Sequence, residues 1–151
     1  MPASLKILVV NGPNLNLLGT REPHIYGTLT LDDINGRLRD LAGQLGNVEL
    51  EFFQSNHEGA IADRLHEGRA QGLAGCIINP GALSHTSYTL HDAMEAVGYP
   101  FVEVHISNIH RREAWRQHSV VSSAAAGSIV GLGWRGYELA LRALVAMLRD
   151  A

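Results

Sequence analysis

Residues 5–27 read LKILVVNGPNLNLLGTREPHIYG, and this stretch predicts a buried strand followed by a loop that begins a ligand site. The apolar run at 5–10 is typical of a strand buried on both faces of a parallel sheet. Gly12 and Pro13 end the strand, because Gly frees the backbone and Pro lacks an amide donor. Pro13 also biases Gly12 toward an extended conformation, so the chain turns out of the sheet here.

The connection that follows the strand is long and has no clear secondary-structure pattern. Connections of this kind are usually either functional lids or disordered segments. Leu15, Leu17 and Leu18 argue against disorder, because disordered segments contain few large apolar residues. We therefore predict a mobile lid at about 14–27 that carries Arg21 and Tyr26, five residues apart.

The rest of the chain alternates strand and helix patterns without a repeat or a linker. Apolar strand patterns recur at 48–54, 73–78, 101–106 and 127–132, and helical patterns lie at 30–45, 57–71, 84–97 and 135–149. This alternation predicts one α/β domain over residues 1–151 with a flavodoxin-like, five-stranded parallel sheet. We expect the strand order 2-1-3-4-5, with helices on both faces of the sheet.

Polar side chains follow four of the predicted strands, at or just beyond the point where each strand ends. They are Asn11, Asn56, Asn79 and the pair His105 and Ser107. Parallel strands with right-handed crossovers bring all their carboxyl ends to one edge of the sheet, where open α/β folds bind ligands. The sequence therefore predicts the site at this edge.

Composition excludes several classes of function. The chain has 151 residues, of which 46% are hydrophobic and 18% charged, and a net charge of −3. These are values for a globular domain, and they include no basic stripe for nucleic acid. No apolar run is long enough to cross a bilayer, and the N-terminus lacks the pattern of a signal peptide, so we expect a cytoplasmic protein. The single cysteine, Cys76, lies in an apolar strand and is expected to be a core residue.

The fourth strand contains the most informative pair of residues. A period of two places Glu103 and His105 on the same face of this strand. A carboxylate beside an imidazole fixes the imidazole tautomer and supports its protonated form, as a general acid requires. The alternative is a histidine that is hydrogen-bonded at a strand end for packing alone. The polar residues that follow His105 favour the catalytic interpretation.

Two further segments contain candidate ligand-binding residues. NPGALSHTS at 79–87 ends the third strand and offers Asn79, His85 and exposed amides to an anion or to hydroxyl groups. The alternative for His85 is a residue of the helix cap. Asp92 is seven residues beyond His85, or two helical turns, and is therefore expected on the same side. Arg112 and Arg116, four residues apart, could bind a carboxylate or a polyol. Arg111, their neighbour, is more simply interpreted as part of a solvated charged face.

Metal and nucleotide sites are not predicted. The eight histidines do not form the motif of zinc proteases, and one cysteine cannot form a thiolate cluster. A metal shared by His105 and His110 is not expected, because a strand end separates them. The sequence contains neither the glycine fingerprint of dinucleotide-binding folds nor a phosphate-binding P-loop motif. We therefore expect no metal and no cofactor.

Four motifs together resemble one family, the type II 3-dehydroquinate dehydratases. They are NGPNLNLLGTREPHIYG at 11–27, NPGALSHTS at 79–87, EVHISN with HRRE at 103–113, and IVGLG at 129–133. The resemblance covers nearly the whole chain. It implies a flavodoxin-like fold, a homododecamer built as a tetramer of trimers, and removal of water from 3-dehydroquinate to give 3-dehydroshikimate. That reaction belongs to the shikimate pathway of aromatic amino acid biosynthesis or to quinate catabolism.

The resemblance also implies roles for individual residues. The catalytic residues would be the base Tyr26, held as phenolate by Arg21, the general acid His105, oriented by Glu103, and Asn14, which stabilises an enolate through a water. The substrate carboxylate would bind Asn79 and the backbone amides of Ile106 and Ser107, and the ring hydroxyls would bind His85, Asp92 and Arg116. The sequence departs from the family pattern at Leu83, Ser84, His91 and Val120. We expect these departures to bear on neighbouring contacts, ligand preference or subunit packing rather than on the reaction.

The chemistry implied by the resemblance is consistent with these residue types. A tyrosine with an ordinary pKa of about 10 is a poor base at neutral pH, so a guanidinium must favour its phenolate form. Loss of hydroxide needs a proton donor, and a histidine titrates in the appropriate range. The alternative from a different class is a non-catalytic, flavodoxin-like module that binds a flavin or a phosphorylated ligand.

A dehydration through an imine with a lysine is not expected, because Lys6 is the one lysine in the chain. It lies five residues before Asn11, which places it roughly 16 Å from the carboxyl edge at about 3.3 Å per residue. Borohydride added with 3-dehydroquinate should therefore leave activity unchanged and add no mass to the protein. Lys6→Met should turn over normally. A substrate adduct on Lys6, detected by mass spectrometry, would contradict both the mechanism and the placement of the site.

Overall fold

The sheet has the predicted strand order. A computed structural model describes residues 3–20 and 22–151 of the chain. Its five strands are β1 (Leu5–Asn11), β2 (Val48–Gln54), β3 (Gly75–Asn79), β4 (Phe101–His105) and β5 (Gly127–Val130). They form one parallel sheet in the order β2-β1-β3-β4-β5, which confirms the flavodoxin-like prediction. Asn11 pairs with Asn79 across β1 and β3, so two of the predicted polar strand ends are neighbours.

The helices cover both faces of the sheet. They are α1 (Pro23–Tyr26), α2 (Leu31–Leu45), α3 (Glu58–Ala70), α4 (Tyr88–Val97) and α5 (Arg135–Asp150). The buried residues of α2 and α5 pack with Ile7 and Val9 on one face, and those of α3 and α4 pack with Leu8 and Val10 on the other. Successive β1 side chains therefore enter two different cores, as the period of two requires. None of the helices described is long and apolar enough to cross a membrane.

Local capping explains where the helices begin. Thr30 caps α2 through a capping box, in which its hydroxyl accepts from the Asp33 amide and the Asp33 carboxylate accepts from the Thr30 amide. Ser87 caps α4 by accepting from the Leu90 amide at 3.0 Å. The helix predicted at 84–97 therefore begins only at Tyr88, and a 3₁₀ helix, Gly81–His85, precedes it.

The segments near the predicted site are short helical turns rather than plain loops. The 14–27 segment contains a 3₁₀ helix, Leu15–Leu17, and the single turn α1, which has Pro23 at its start. The arginine-rich segment after β4 contains two 3₁₀ helices, Ile109–Arg111 and Ala114–Gln117. The fifth strand is shorter than the predicted 127–132 and ends at Val130.

The carboxyl ends of β1 and β3 approach each other so closely that only glycine fits at position 12. The Gly12 amide donates to the Asn79 carbonyl at 2.8 Å, and a Cβ at Gly12 would lie 2.5 Å from the Pro80 carbonyl oxygen. The contact is with backbone, so a side chain cannot be accommodated by a rotamer change. This close contact holds the two strand ends that border the site.

We predict that Gly12→Ala destabilises the protein by about 1–3 kcal/mol, the usual result of overpacking. Gly36→Ala is the matched control, because Gly36 lies in α2 and a Cβ there meets nothing within 4 Å. That change should stabilise the protein by roughly 0.5–1 kcal/mol through helix propensity. Urea unfolding of both variants measures the difference. Equal free energies of unfolding for the two variants would contradict the close contact at Gly12.

Candidate active site

A cleft of about 170 Å³ opens at the carboxyl edge of the sheet, where the sequence predicts the site. Eight of the eleven predicted site residues line it, namely Asn14, Tyr26, Asn79, His85, His105, Ile106, Ser107 and Arg116. Of the other three, Glu103 lies behind His105, Asp92 is outside the lining, and Arg21 is outside the described residues. The structure therefore brings together side chains from five different segments of the chain.

The imidazole of His105 is held by a buried carboxylate. His105 Nε2 donates to Glu103 Oε2 at 2.5 Å, as their shared strand face predicts. Both side chains are almost fully buried. Because Nε2 is used in this bond, Nδ1 is the ring nitrogen left to exchange a proton with a ligand.

The Glu103 carboxylate is held in its charged form by further donors. Its Oε1 accepts from the Ser122 hydroxyl at 2.5 Å and from the Ser128 hydroxyl at 3.3 Å. Burial alone would raise the pKa of Glu103, but the hydrogen bonds from His105, Ser122 and Ser128 and the charge of His105 outweigh it. The net pKa of Glu103 therefore lies below its ordinary value, and the carboxylate is charged at neutral pH.

Tyr26 contacts Arg112, which the sequence predicts as a ligand-binding residue together with Arg116 and not as a partner of Tyr26. Arg112 Nη1 donates to the Tyr26 hydroxyl oxygen at 2.8 Å and to Ser107 Oγ at 3.2 Å. Its guanidinium also lies 5.3 Å from the centre of the Tyr26 ring. The guanidinium therefore places a positive charge directly beside the phenolic oxygen. The four-residue spacing of Arg112 and Arg116 does not indicate this contact with Tyr26.

Arg112 and Arg116 do not share one continuous helix, because Arg112 lies between the two 3₁₀ helices of this segment. Both nevertheless line the cleft. Arg116 forms an ion pair with Glu113, and its guanidinium lies 4.0 Å from the centre of the Trp115 ring. Arg111 is exposed and lies outside the cleft lining, in agreement with its interpretation as a solvated residue.

His85 presents a neutral imidazole beside the cleft. Its Nδ1 donates to the His118 carbonyl at 2.7 Å, which leaves Nε2 as an acceptor. Burial lowers the pKa of His85, and the positive charges of His105 and Arg116 lower it further. The bond to His118 and the charge of Glu103 only partly oppose these effects. A neutral His85 can accept a hydrogen bond from a ligand hydroxyl.

Two asparagines border the cleft from different strand ends. Asn14 has a left-handed backbone with φ of 68°, a conformation that asparagine adopts more readily than most residues. Its amide donates to Asn56 Oδ1 at 2.9 Å, so the start of the 14–27 segment is joined to the end of β2. The Asn79 side chain, at the end of β3, is only 3% exposed.

Asp92 and His85 are expected on one helical face, but they do not belong to the same helix. His85 belongs to the 3₁₀ helix before α4, so the two-turn spacing does not apply. Asp92 is exposed on α4, where its carboxylate, His91 and Glu95 have ligand atoms within 4.8 Å of one another. His91 Nε2 lies 3.2 Å from Glu95 Oε1 in an i,i+4 pair, outside the cleft lining.

Comparison with known proteins identifies the family of this chain. Residues 5–145 match the family described as Dehydroquinase class II. The chain belongs to the class II dehydroquinases. It is 54% identical over 144 residues to the 3-dehydroquinate dehydratase 1 of Ralstonia nicotianae, a match that covers 95% of this chain and 92% of that protein. It is 55% identical over 136 residues to the catabolic 3-dehydroquinase 2 of Aspergillus flavus, covering 90% of this chain and 89% of that one.

Solved structures of class II dehydroquinases share the fold. The type II dehydroquinase of Butyrivibrio crossotus superposes with a TM-score of 0.91 and 44% identity, over 94% of this chain and 98% of that chain. That of Propionibacterium acnes has a TM-score of 0.86 and 44% identity, over 99% and 100% of the two chains. These matches do not favour the alternative of a non-catalytic flavodoxin-like binding module.

The lowered pKa of Glu103 predicts a pH-dependent contribution to stability. Its charged form is stabilised in the folded state, so this contribution is present above the ordinary pKa of 4.5 and is lost as the pH falls through the lower folded value. Glu103→Gln should therefore lower the free energy of unfolding by roughly 1.5–3 kcal/mol near pH 7, the value of a hydrogen bond to a charged group. The difference from the wild type should shrink below pH 4.5.

Urea unfolding from pH 3 to pH 7 measures this difference. Glu51→Gln is the control, because Glu51 is a more exposed carboxylate that pairs with Arg64 at 3.0 Å. Loss of such a pair should change the free energy of unfolding by no more than about 1 kcal/mol. A difference between wild type and Glu103→Gln that stays constant over this pH range would contradict the assignment of a stabilised charge to Glu103.

Proposed function

We propose that this chain removes water from 3-dehydroquinate by anti elimination through an enolate, giving 3-dehydroshikimate. The observation that supports it best is the pairing of an acid and a base candidate across one cleft. His105 is held by Glu103, and Tyr26 is contacted by Arg112. The class II dehydroquinase match and the relatives named 3-dehydroquinate dehydratase support the same hydro-lyase activity.

The reaction begins with loss of a proton from the carbon next to the substrate ketone. Tyr26, as phenolate, takes this proton, and the electron pair moves onto the ketone oxygen to form an enolate. The guanidinium of Arg112, 2.8 Å from the Tyr26 oxygen, stabilises the phenolate before the transfer. Arg21, from the proposed lid at 14–27, adds a second positive charge. Asn14 stabilises the enolate oxygen through a bound water.

The second step expels the hydroxyl group at the carbon beyond the enolate. The enolate electron pair forms the new double bond, the carbon–oxygen bond breaks, and His105 gives a proton to the departing oxygen, so that water leaves. Glu103 stabilises the protonated imidazole before this transfer and fixes its orientation. The proton accepted by Tyr26 and the one lost from His105 balance, and exchange with solvent restores both groups.

The remaining site residues bind the substrate. Asn79 and the backbone amides of Ile106 and Ser107 receive the carboxylate, since amide donors suit a negative charge. His85 and Arg116 receive ring hydroxyls, and the neutral imidazole of His85 is suited to accept from one of them. Asp92 stays a prediction for the same hydroxyl groups, although it lies outside the cleft lining of a single chain.

The wider setting follows from the resemblance. We propose a cytoplasmic homododecamer, built as a tetramer of trimers, that acts without metal or cofactor on a small-molecule substrate. Its relatives include both a protein named 3-dehydroquinate dehydratase and proteins named catabolic 3-dehydroquinases. The reaction can therefore belong to aromatic amino acid biosynthesis or to quinate breakdown.

A direct assay tests the function. Purified protein and 3-dehydroquinate should give a rise in ultraviolet absorbance as the conjugated enone of 3-dehydroshikimate forms. Mass analysis of the product should show the loss of one water. A flavin-binding module would instead be yellow when purified with its ligand, and it would leave 3-dehydroquinate unchanged. Failure to consume the substrate would overturn the proposed function.

Removal of Arg112 tests the proposed base. Arg112→Ala should lower kcat by about 10²-fold or more, because it removes the charge that favours the Tyr26 phenolate. The rate of Arg112→Ala should recover in part as the pH is raised, because a higher hydroxide concentration also favours the phenolate form of the proposed base. Steady-state kinetics from pH 6 to pH 10 measure both effects.

Arg111→Ala is the matched control, because Arg111 is exposed beside Arg112 and lies outside the cleft lining. Its kcat should stay within about two-fold of the wild type, as expected for a solvated surface residue. If Arg112→Ala loses rate by the same factor at every pH, Arg112 does not act by favouring the phenolate.

A further inference from the structure

A fully buried tyrosine lies directly beneath the cleft and joins two strand ends. Tyr137 belongs to the first turn of α5 and is 0% exposed. Its hydroxyl donates to Asn11 Oδ1 at 2.6 Å and accepts from Asn79 Nδ2 at 2.8 Å. Asn11 and Asn79 are paired positions at the ends of β1 and β3, so this hydroxyl connects both strands at the site.

One backbone amide determines the direction of each hydrogen bond that links Asn79, Tyr137 and Asn11. The Gly81 amide can only donate, so the Asn79 atom that faces it at 3.1 Å must be Oδ1. The Asn79 atom that faces Tyr137 is therefore Nδ2, which can only donate. The Tyr137 hydroxyl then accepts from Asn79 and must direct its own hydrogen to Asn11 Oδ1.

Only a hydroxyl that donates and accepts at once can stand between an amide N–H and an amide oxygen. Burial raises the pKa of Tyr137, so its hydroxyl keeps the proton that it donates to Asn11. One of the two Nδ2 hydrogens of Asn79 is used in the bond to Tyr137, and one is left for a ligand. Asn79 lines the cleft, so this second hydrogen is the donor available there.

We propose that Tyr137 is a positioning residue that holds the Asn79 amide with its nitrogen available to the substrate carboxylate. This inference rests on the proposed function, which assigns the carboxylate to Asn79. Two hydrogen bonds constrain the Asn79 amide, one from the Gly81 amide to Oδ1 and one from Nδ2 to the Tyr137 hydroxyl. Without the Tyr137 hydroxyl, only the Gly81 bond remains, and the nitrogen side of the amide is no longer held. Partial rotation of the amide about this remaining bond turns the free Nδ2 hydrogen away from the carboxylate and weakens that hydrogen bond.

Tyr137→Phe removes the hydroxyl while the ring still fills the core. We expect KM for 3-dehydroquinate to rise about ten-fold, the effect of weakening one hydrogen bond to a charged group. We expect kcat to fall by less than about three-fold, because binding is lost equally in the ground state and the transition state. A change in kcat alone, with KM unchanged, would overturn the inference.

Tyr99→Phe is the matched control. Tyr99 is also a buried tyrosine, and its hydroxyl donates to the Leu65 carbonyl at 2.7 Å in the core on the opposite face of the sheet. Both variants lose a buried hydrogen bond and should lower Tm. Only Tyr137→Phe should raise KM, so an equal rise in KM for Tyr99→Phe would mean that general loosening of the fold explains the effect, and would overturn the positioning role.

A double variant shows whether Tyr137 acts through Asn79. Asn79→Ala should raise KM by itself, and Asn79→Ala/Tyr137→Phe should have nearly the same KM as Asn79→Ala. If Asn79→Ala raises KM and Tyr137→Phe does not, the positioning role fails and the proposed function stands. If neither variant changes KM, the carboxylate is not bound by Asn79, and that part of the proposed function fails with the inference.

A second variant covers the case in which Tyr137→Phe does not fold. Asn11→Ser keeps Tyr137 and Asn79 but shortens the acceptor that directs the Tyr137 hydroxyl, and Asn11 is outside the cleft lining. It should raise KM by about two- to five-fold, a smaller effect because the bond from Asn79 to Tyr137 is kept. An unchanged KM in a folded Asn11→Ser protein would overturn the inference.

Discussion

Parallel pairing of β1 with β3 is the constraint on which the rest of the site depends. The pairing places Asn11 opposite Asn79, and both strands leave the sheet at the same edge. Gly12 allows the two chain turns to meet, because a Cβ there would lie 2.5 Å from the Pro80 carbonyl oxygen. The cleft occupies the space beyond this contact, between the segment that follows β1 and the segments that follow β3 and β4. A looser junction would separate the asparagine of β3 from the residues of the 14–27 segment.

The site combines two polar pairs that are held in place in different ways. Glu103 is almost completely buried, and three hydrogen-bond donors offset the cost of removing its charge from water. Tyr26 is only partly buried and contacts the cation Arg112, which also donates to Ser107. The Glu103–His105 side of the cleft is therefore built into the sheet, whereas the Tyr26–Arg112 side is built from segments that follow strands. Such a division suits a reaction in which one group stays fixed behind the substrate and another approaches it from the surface.

The hydrophobic core and the site are not separate parts of this molecule. Tyr137 fills the core between the sheet and α5, and its hydroxyl reaches the asparagine side chains that end β1 and β3. Burial of its ring stabilises the docking of α5, and the same burial excludes water from the hydrogen bonds that orient Asn79. The helix α5 contributes no lining residue to the cleft, but through Tyr137 it can influence how Asn79 meets a ligand there.

The sequence by itself determined the strand order, the edge that holds the cleft, and the Glu103–His105 pair, because these follow from periodicity within single elements and from the handedness of their connections. Only the tertiary structure decided the partners of Tyr26 and Asn79. Arg112 is 86 residues from Tyr26, and Tyr137 is 58 residues from Asn79, so each contact depends on how several connections place distant elements. Asp92 shows the same limit. Its helical spacing from His85 had no meaning once Ser87 started α4 after His85, because local capping, rather than residue count, decides where a helical face begins.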